Sequence, residues 1–416
     1  MCNNSVQNSS YCDPHTLNDV TSLNQFTRDY NSLIKSYTDD CDYQKEIHKI
    51  PPLELLLKFA EQEFQKTFFK LPTYATYAPA SVNLCGEVTD SNDGKVLSMA
   101  VQLVTVIVGT RRIKSRWCKV KTLSRELDEA NYGEFCINTI DSDTSSGLRW
   151  LSYIKSVVQN FSIPKEKIPG FKALIISNIP IKSGLASGSA LSVATYTFLE
   201  AITNVNTYNI LDKAIACQQV EQMSMTVPCS IGETFVSVAG IEGKVLEFDS
   251  RILQIKEYAW NKLDVDLILI NSNQETINSL FYQKYMDQCR PITFALNITS
   301  LRDTTVCQLS TIKHLFPSTL LQRAHHIISE TNRVTEAVQE IKKHRWQKLG
   351  KLMWESHCSM RDKFGLSCVK IERIMGAIQN IQGVYGAKII GRGYGGMVLA
   401  MVSSVCSNKR VDTIQL

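Results

Sequence analysis

Runs of β-branched strand interleaved with long striped helices, in a chain long enough for roughly two domains, predict a mixed α and β fold. Three observations carry that expectation. The chain has 416 residues, more than one ordinary core holds. The runs at 101–112 (VQLVTVIVGTRR) and 173–176 (ALII) are apolar and largely β-branched, as buried strands are. The segments at 322–343 and 345–360 are charged and carry apolar stripes at helical spacing.

Taken in order, residues 1–50 form a polar extension whose first 28 residues are rich in Asn, Ser, Thr and Asp. At 53–69 the apolar spacing predicts an amphipathic helix that ends before Pro72. The 77–100 stretch opens from an apolar run into a loop dense in Glu87, Thr89, Asp90, Asn92 and Asp93, and strand character returns at Val96. Such a loop can offer carboxylates and amides to sugar hydroxyls. It can equally be a solvated hairpin tip, which composition alone favours. The strand at 173–176 runs into the small-residue loop PIKSGLASGSA (180–190), and 191–201 reads as a packed helix. A helix over 212–225 puts Glu221 on a face, 244–249 and 265–270 read as strands, and strand pieces at 388–390 and 398–402 flank GRGYGG at 391–396. The change near 240 from loops to long helices divides the chain into 51–240 and 241–416.

Composition narrows the function classes. Net charge is +5 and scattered, so no nucleic-acid footprint is visible. The thirteen cysteines have no CxxC pair, which points to reduced thiols in a cytoplasmic protein rather than a disulfide frame or a zinc site. No run approaches the length of a membrane span, and the N-terminus lacks the apolar core of a signal peptide. The loop at 180–190 is the stretch with the clearest chemistry. Small residues between strand and helix leave backbone N–H groups pointing outward at a helix N-terminus, an arrangement suited to phosphate. By itself such a loop is more often a plain turn.

Four other motifs settle the reading. APASVNLCGEVTDSNDG at 78–94 resembles the galactokinase signature APGRVNLIGEHTDYNxG. The 180–190 loop resembles the phosphate loop of the GHMP small-molecule kinases. VPCSIGETFVS at 227–237, ESHCSMRD at 355–362 and GRGYGG at 391–396 are similar, in family order, to VPCGIMDQFIS, ESHxSLRD and GGGFGG. The chain is therefore identified as a member of the galactokinase or N-acetylgalactosamine kinase branch of that family. The resemblance implies an α+β fold of two lobes, a ribosomal protein S5 domain 2-like N-terminal lobe and a ferredoxin-like C-terminal lobe, with the site in a cleft. It implies ATP and Mg²⁺ as cofactors and transfer of phosphate to a sugar 1-hydroxyl. Glu87 and Asp90 match sugar-binding carboxylates, and Tyr282 matches a sugar-contacting tyrosine across a one-residue gap. Gly184, Leu185, Ser187 and Ser189 keep most of the phosphate loop, and Glu221 matches a Mg²⁺-coordinating glutamate. Gly391, Gly393, Gly395 and Gly396 keep the third motif.

The departures fall on the reacting groups. The catalytic aspartate is Glu233 here, one methylene longer, and the arginine that supports it is Ser81. A misplacement on the order of 1 Å costs about a hundredfold in rate, and loss of a fixed cation costs a few kcal/mol. The sugar-contacting histidine is Val88, and the glycine opening the active-site turn, at a sugar-binding position, is Ser230. The Mg²⁺-serving serine of the loop is Gly188, with Ser189 adjacent. A third-motif glycine is Arg392, whose guanidinium either blocks the nucleotide or replaces a lost positive charge. Scaffold positions, among them Pro228, Cys229, His357, Arg361 and Asp362, are kept. The family usually runs some tens of residues past its third motif and this sequence stops at Leu416, so a closing strand is expected to be absent. The expectation is a galactokinase-like protein, an ATP-dependent galactose or N-acetylgalactosamine 1-kinase whose turnover is weak or lost. Its partners are then sugar and ATP, with no nucleic acid or membrane. The alternative is a non-catalytic sugar or nucleotide sensor acting through a regulatory protein partner.

Overall fold

The computed structural model describes residues 52–124, 129–140, 147–225, 230–260, 264–277 and 279–404, all within the compact unit Ile47–Leu416. The expectations for the N-terminal extension, for Pro228 and Cys229 and for a closing strand past 404 lie outside the described residues.

Helix α1 (Leu53–Phe68) buries Leu56, Phe59, Ala60, Phe64 and Phe68 along one stripe and ends where Phe69 turns left-handed at φ 54°. Strands β1 (Tyr74–Cys85) and β2 (Lys95–Arg112) pair antiparallel from Tyr74↔Gly109 to Cys85↔Leu97. β2 is the spine of a seven-stranded sheet. Its far end takes β5 (Gly170–Ser177) and its near end takes β6 (Lys244–Asp249). β3 (Trp117–Thr122) and β4 (Tyr132–Cys136) extend the sheet past β5, and β7 (Gln254–Ala259) closes the other edge, giving the order β4-β3-β5-β2-β6-β7 with β1 along β2. Among the described residues only the β3–β5 pair is parallel.

One face of this sheet packs against α2 (Arg149–Gln159), α3 (Ser187–Thr203) and α4 (Ile210–Met225), with Ile107, Phe171 and Ile175 against Ile154, Phe198 and Val220. Helix α5 (Ile231–Ala239) follows and adds Phe235 against Phe248. Gly109 is the close approach in that face, since a Cβ there would lie 2.6 Å from the Phe198 ring.

The second sheet is antiparallel, in the order β8 (Val265–Asn271), β10 (Met397–Ser403), β9 (Val384–Ile389). Short helices α6 (Ser279–Asp287), α7 (Arg290–Ala295) and α8 (Val306–Thr311) precede the long pair α9 (Ser318–Lys342) and α10 (Trp346–Ser359). A π-helical turn, Met360–Phe364, and α11 (Val369–Gln379) complete the layer. The outer face of the first sheet meets this layer: Val82, Leu84 and Leu97 pack with Val334 and Val338 of α9, Met353 of α10 and Leu399 of β10. The fold is α+β, with two sheets joined through α9 and α10.

Candidate active site

The turn after β1 is buried over residues 86–89, while Ser91 at its tip is exposed. Gly86 takes φ +94°, and a Cβ there would sit 2.6 Å from the Lys95 carbonyl, so the position admits only glycine. Glu87 is 3% exposed and Thr89 is fully buried. Glu87 Oε1 accepts from Lys388 Nζ at 2.9 Å and from the Gly391 N–H at 3.2 Å, while Oε2 accepts from Asn83 Nδ2 at 3.0 Å. Burial pushes its carboxyl above the usual range, and the Lys388 ammonium opposes that push. Behind the turn, the Gly86 N–H donates to Glu330 Oε1 at 2.9 Å, which also accepts from Ser356 Oγ at 2.6 Å. Burial alone would raise Glu330, but the charges of Arg333 and Lys388 and the Ser356 hydrogen bond work against it, and the carboxyl lies below its ordinary value. His326 Nε2 lies 3.2 Å from the Glu87 carbonyl, which accepts only; Nε2 therefore carries the proton and Nδ1 accepts from Ser359 Oγ at 2.8 Å. Val88 is buried at φ +71°, a conformation that costs a β-branched residue strain, among Met286, Leu301 and Ile327.

The phosphate-loop candidate leaves β5 through Lys182, Gly184 and Ala186, all at positive φ, and enters α3 at Ser187. The Leu185 side chain is buried in the core, so the loop presents only its backbone there. Ser189 Oγ donates to Glu221 Oε2 at 2.7 Å and accepts from Thr234 Oγ1 at 3.3 Å. A Cβ at Gly188 would meet Glu221 Oε1 at 2.8 Å, so a serine there would require Glu221 to move. Ser189 and Glu221 offer two hard oxygen donors beside an anion-type helix N-terminus. This fits a Mg²⁺ held chiefly through a nucleotide's phosphates. Among the described residues no group of three His, Cys, Asp or Glu is arranged to hold a metal by itself.

The third glycine loop closes on the first two. A Cβ on Gly391 would fall 2.6 Å from the Gly184 Cα, so the two loops meet backbone to backbone. Gly393, Gly395 and Gly396 lie equally tightly against the carbonyls of Leu366, Glu275 and Ser183.

The β1–β2 turn and the third glycine loop border a cavity of about 440 Å³, within the range for small-molecule sites. Gly184, Leu185, Ser187, Gly188, Ser189 and Glu221 are not in its lining. Glu87, Asp90, Ser230, Glu233, Tyr282 and Gly391 line it together, joined by Arg392. Ser230 caps α5, its Oγ accepting from the Glu233 N–H at 3.4 Å while its hydroxyl reaches Asp90. Burial and the nearby Glu221 charge push Glu233 up to about 8, partly offset by Arg392. Burial, then Asp90, pushes the Tyr282 phenol well above its ordinary value. Ser81 is 2% exposed, lies outside this lining, and its Oγ has no hydrogen-bond partner among the described residues.

Residues 62–111 match the galactokinase galactose-binding signature, and residues 152–240 match the GHMP kinase N-terminal domain. Human galactokinase is 33% identical over 367 residues, covering 88% of this chain and 93% of that protein. The chain belongs to the galactokinase family. Canis lupus familiaris galactokinase is 33% identical over 86% of this chain and 91% of its own length. Among solved structures, Lactococcus lactis galactokinase complexed with galactose aligns with a TM-score of 0.77 at 24% identity, over 86% of this chain and 93% of that one. Methanococcus jannaschii mevalonate kinase aligns at 0.56 and 20% identity, over 81% and 93%. The fold is thus that of the GHMP kinases. No helix among the described residues is long and apolar enough to cross a membrane.

Against the galactokinase motifs, sequence reasoning missed Lys388, Glu330 and His326. Lys388 stands in a strand between Ala387 and Ile389, and His326 and Glu330 interrupt the apolar stripe of α9. A charged or polar residue at an inward position was the available signal. The ESHCSMRD motif supplies scaffold contacts: Ser356 serves Glu330, the His357 Nδ1 accepts from the Ile389 N–H at 3.4 Å, and Arg361 pairs with Asp362 and Glu372.

Proposed function

We propose that this protein is an ATP-dependent sugar 1-kinase acting on galactose or N-acetylgalactosamine, with turnover held down by its altered reacting groups. The supporting observation is that Glu233, Asp90 and Tyr282 share one cavity whose wall, at Gly391, touches the phosphate loop at Gly184. In this reading Glu233 takes the proton of the 1-hydroxyl as that oxygen bonds to the γ-phosphorus and the bond to the β-phosphate oxygen breaks, releasing ADP. Asp90, Ser230 and Tyr282 orient the sugar hydroxyls. The first-turn amides of α3 hold the phosphates, and Glu221 with Ser189 would hold Mg²⁺, which neutralises phosphate charge when bound.

Glu233 must be ionised to act. With its carboxyl near 8, sugar-dependent ADP release rises from pH 6.5 to 9 along an acid limb near 8. A coupled ADP-release assay with a sugar panel across that range is the test. No sugar-dependent ADP at millimolar substrate at pH 9 would overturn the kinase reading.

Two observations favour a second reading, a sugar or nucleotide sensor acting through a protein partner. The Ser81 hydroxyl puts no cation where the galactokinase resemblance expects one, and burial with the Glu221 charge pushes the Glu233 carboxyl up. Calorimetric titration with Mg-ATP and galactose decides it, since binding without turnover is what a sensor gives.

A further inference from the structure

The turn that carries Asp90 into the cavity is held from outside. Its last three backbone carbonyls, those of Asn92, Asp93 and Gly94, are each taken by a donor from a distant segment. Ser300 Oγ donates to the Asn92 carbonyl at 2.6 Å, Arg302 Nη1 to the Asp93 carbonyl at 2.8 Å, and Ser250 Oγ to the Gly94 carbonyl at 2.6 Å. The Ser250 N–H adds a second bond to the Gly94 carbonyl at 3.2 Å. Ser250 follows β6 of the first sheet, whereas Ser300 and Arg302 belong to the 3₁₀ turn Leu301–Asp303 and its cap, between α7 and α8 of the second layer.

The outside donors are tied to one another. Arg302 forks onto Asp249, the last residue of β6, with Nη1 2.5 Å from Oδ1 and Nη2 2.6 Å from Oδ2. The two side chains are only 21% and 10% exposed, so water screens this pair little. A planar guanidinium can hold both carboxylate oxygens and a third acceptor at once, which an amide of similar reach cannot. Arg251 pairs with Asp303 nearby, but it meets the Asp90 turn through the Asp93 carboxylate at 3.4 Å rather than through a carbonyl. Inside the turn, the N–H groups of Asn92 and Gly94 both donate to the Thr89 carbonyl at 2.9 Å. The turn is therefore a small braced body, and fixing its carbonyl end fixes Asp90 as well.

We propose that Arg302 is a positioning residue for the sugar side of the cavity: paired with Asp249, it anchors the carbonyl end of the 89–94 turn across the two layers and so sets where Asp90 stands. Neither Arg302 nor Asp249 lines the cavity, so their effect on a ligand there passes through the turn. The cavity gives a reason for the anchor. Asp90 shares the lining with Glu87 and Glu233, and like charges on one wall drive the turn outward unless it is held. The inference rests on the kinase reading for what Asp90 binds, but not for the anchor itself.

The test compares Arg302→Gln with Arg251→Gln in the full chain, by amide hydrogen exchange over 89–94, calorimetry with galactose and with Mg-ATP, and steady-state kinetics. In Arg302→Gln the Asn92 and Gly94 amides exchange about tenfold faster or more, because the turn opens locally. Galactose Kd and KM rise about tenfold, while kcat and Mg-ATP affinity stay within about twofold of native. Arg251→Gln leaves exchange and galactose affinity within about twofold of native. Asp249→Asn keeps the Arg302 bond to the Asp93 carbonyl, shifts the same quantities in the same direction by a smaller factor, and carries the test if Arg302→Gln does not fold. The double variant is no worse than Arg302→Gln alone, as expected when both residues act through one contact. A lowered thermal midpoint with native exchange over 89–94 and native galactose affinity overturns the proposal, since a merely structural ion pair gives that result. So does an equal loss of galactose affinity in Arg251→Gln. The two readings fail separately. Native protein that binds no galactose removes the sugar reading while exchange of the turn still decides the anchor, whereas native galactose affinity in Arg302→Gln removes the anchor and leaves the sugar reading.

Discussion

Lys388 and Glu87 form a fully buried ion pair that joins β9 to the turn after β1. Taking two charges out of water is costly, and their attraction with the added hydrogen bonds from Asn83 and Gly391 offsets the cost. Removing one partner leaves the other charge buried alone. Lys388→Met is expected to destabilise the protein by about 3–5 kcal/mol, while the double variant with Glu87→Gln recovers much of the loss. Urea unfolding of the two variants is the check, and equal losses would mean that the pair itself contributes little. This contact was not legible in the sequence, because its partners lie 301 positions apart and nothing local marks Lys388 as facing Glu87. Glu233 and Asp90 stood out in the sequence because each sits in a short motif whose spacing the chain preserves, whereas Glu221 lies in no such motif and was read only from a helix face and the resemblance.

At the scale of elements, the strands read correctly were those with sustained apolar, β-branched runs, β8 among them although it is mostly half-buried. The core of β2 is another, and β6, though its run is shorter, is inward at most positions. β3 and β4 were missed because they are short and amphipathic: WCKVKT alternates lysine with buried Cys118 and Val120. The loops were legible as loops, but their mutual contact was not. Gly391 at φ +69° with Gly184 against it leaves no room for a methyl group. Gly391→Ala is expected to push the third loop off the phosphate loop and weaken Mg-ATP binding by about tenfold, the equivalent of 1–2 kcal/mol of backbone strain. Calorimetry measures it, and unchanged affinity would show that the phosphate loop tolerates the displacement.

For the whole molecule, His326 makes stability depend on acid. Burial lowers it to about 4, so it stays neutral in the folded chain across a range where the unfolded chain, near 6.5, takes up a proton. The unfolded state binds more protons between those values, so stability is intact above pH 6.5 and falls as pH drops toward 4. The loss reaches about 3 kcal/mol. Thermal midpoints from pH 7 to 4 should show it, and His326→Gln should flatten that slope. His326 acts on the Glu87 turn from α9, and the same helix closes the core between the two sheets, so acid loosens the fold and the cavity together. The bare backbone contact of Gly184 with Gly391 has a last consequence. Two loops in van der Waals contact without side chains between them settle as a unit, so ordering one by its ligand prepares the other. Thermodynamic reciprocity then requires that whatever factor Mg-ATP adds to hexose affinity, hexose adds to Mg-ATP affinity. Paired calorimetric titrations read both factors, and values of one in each direction would mean that the two subsites fill as strangers.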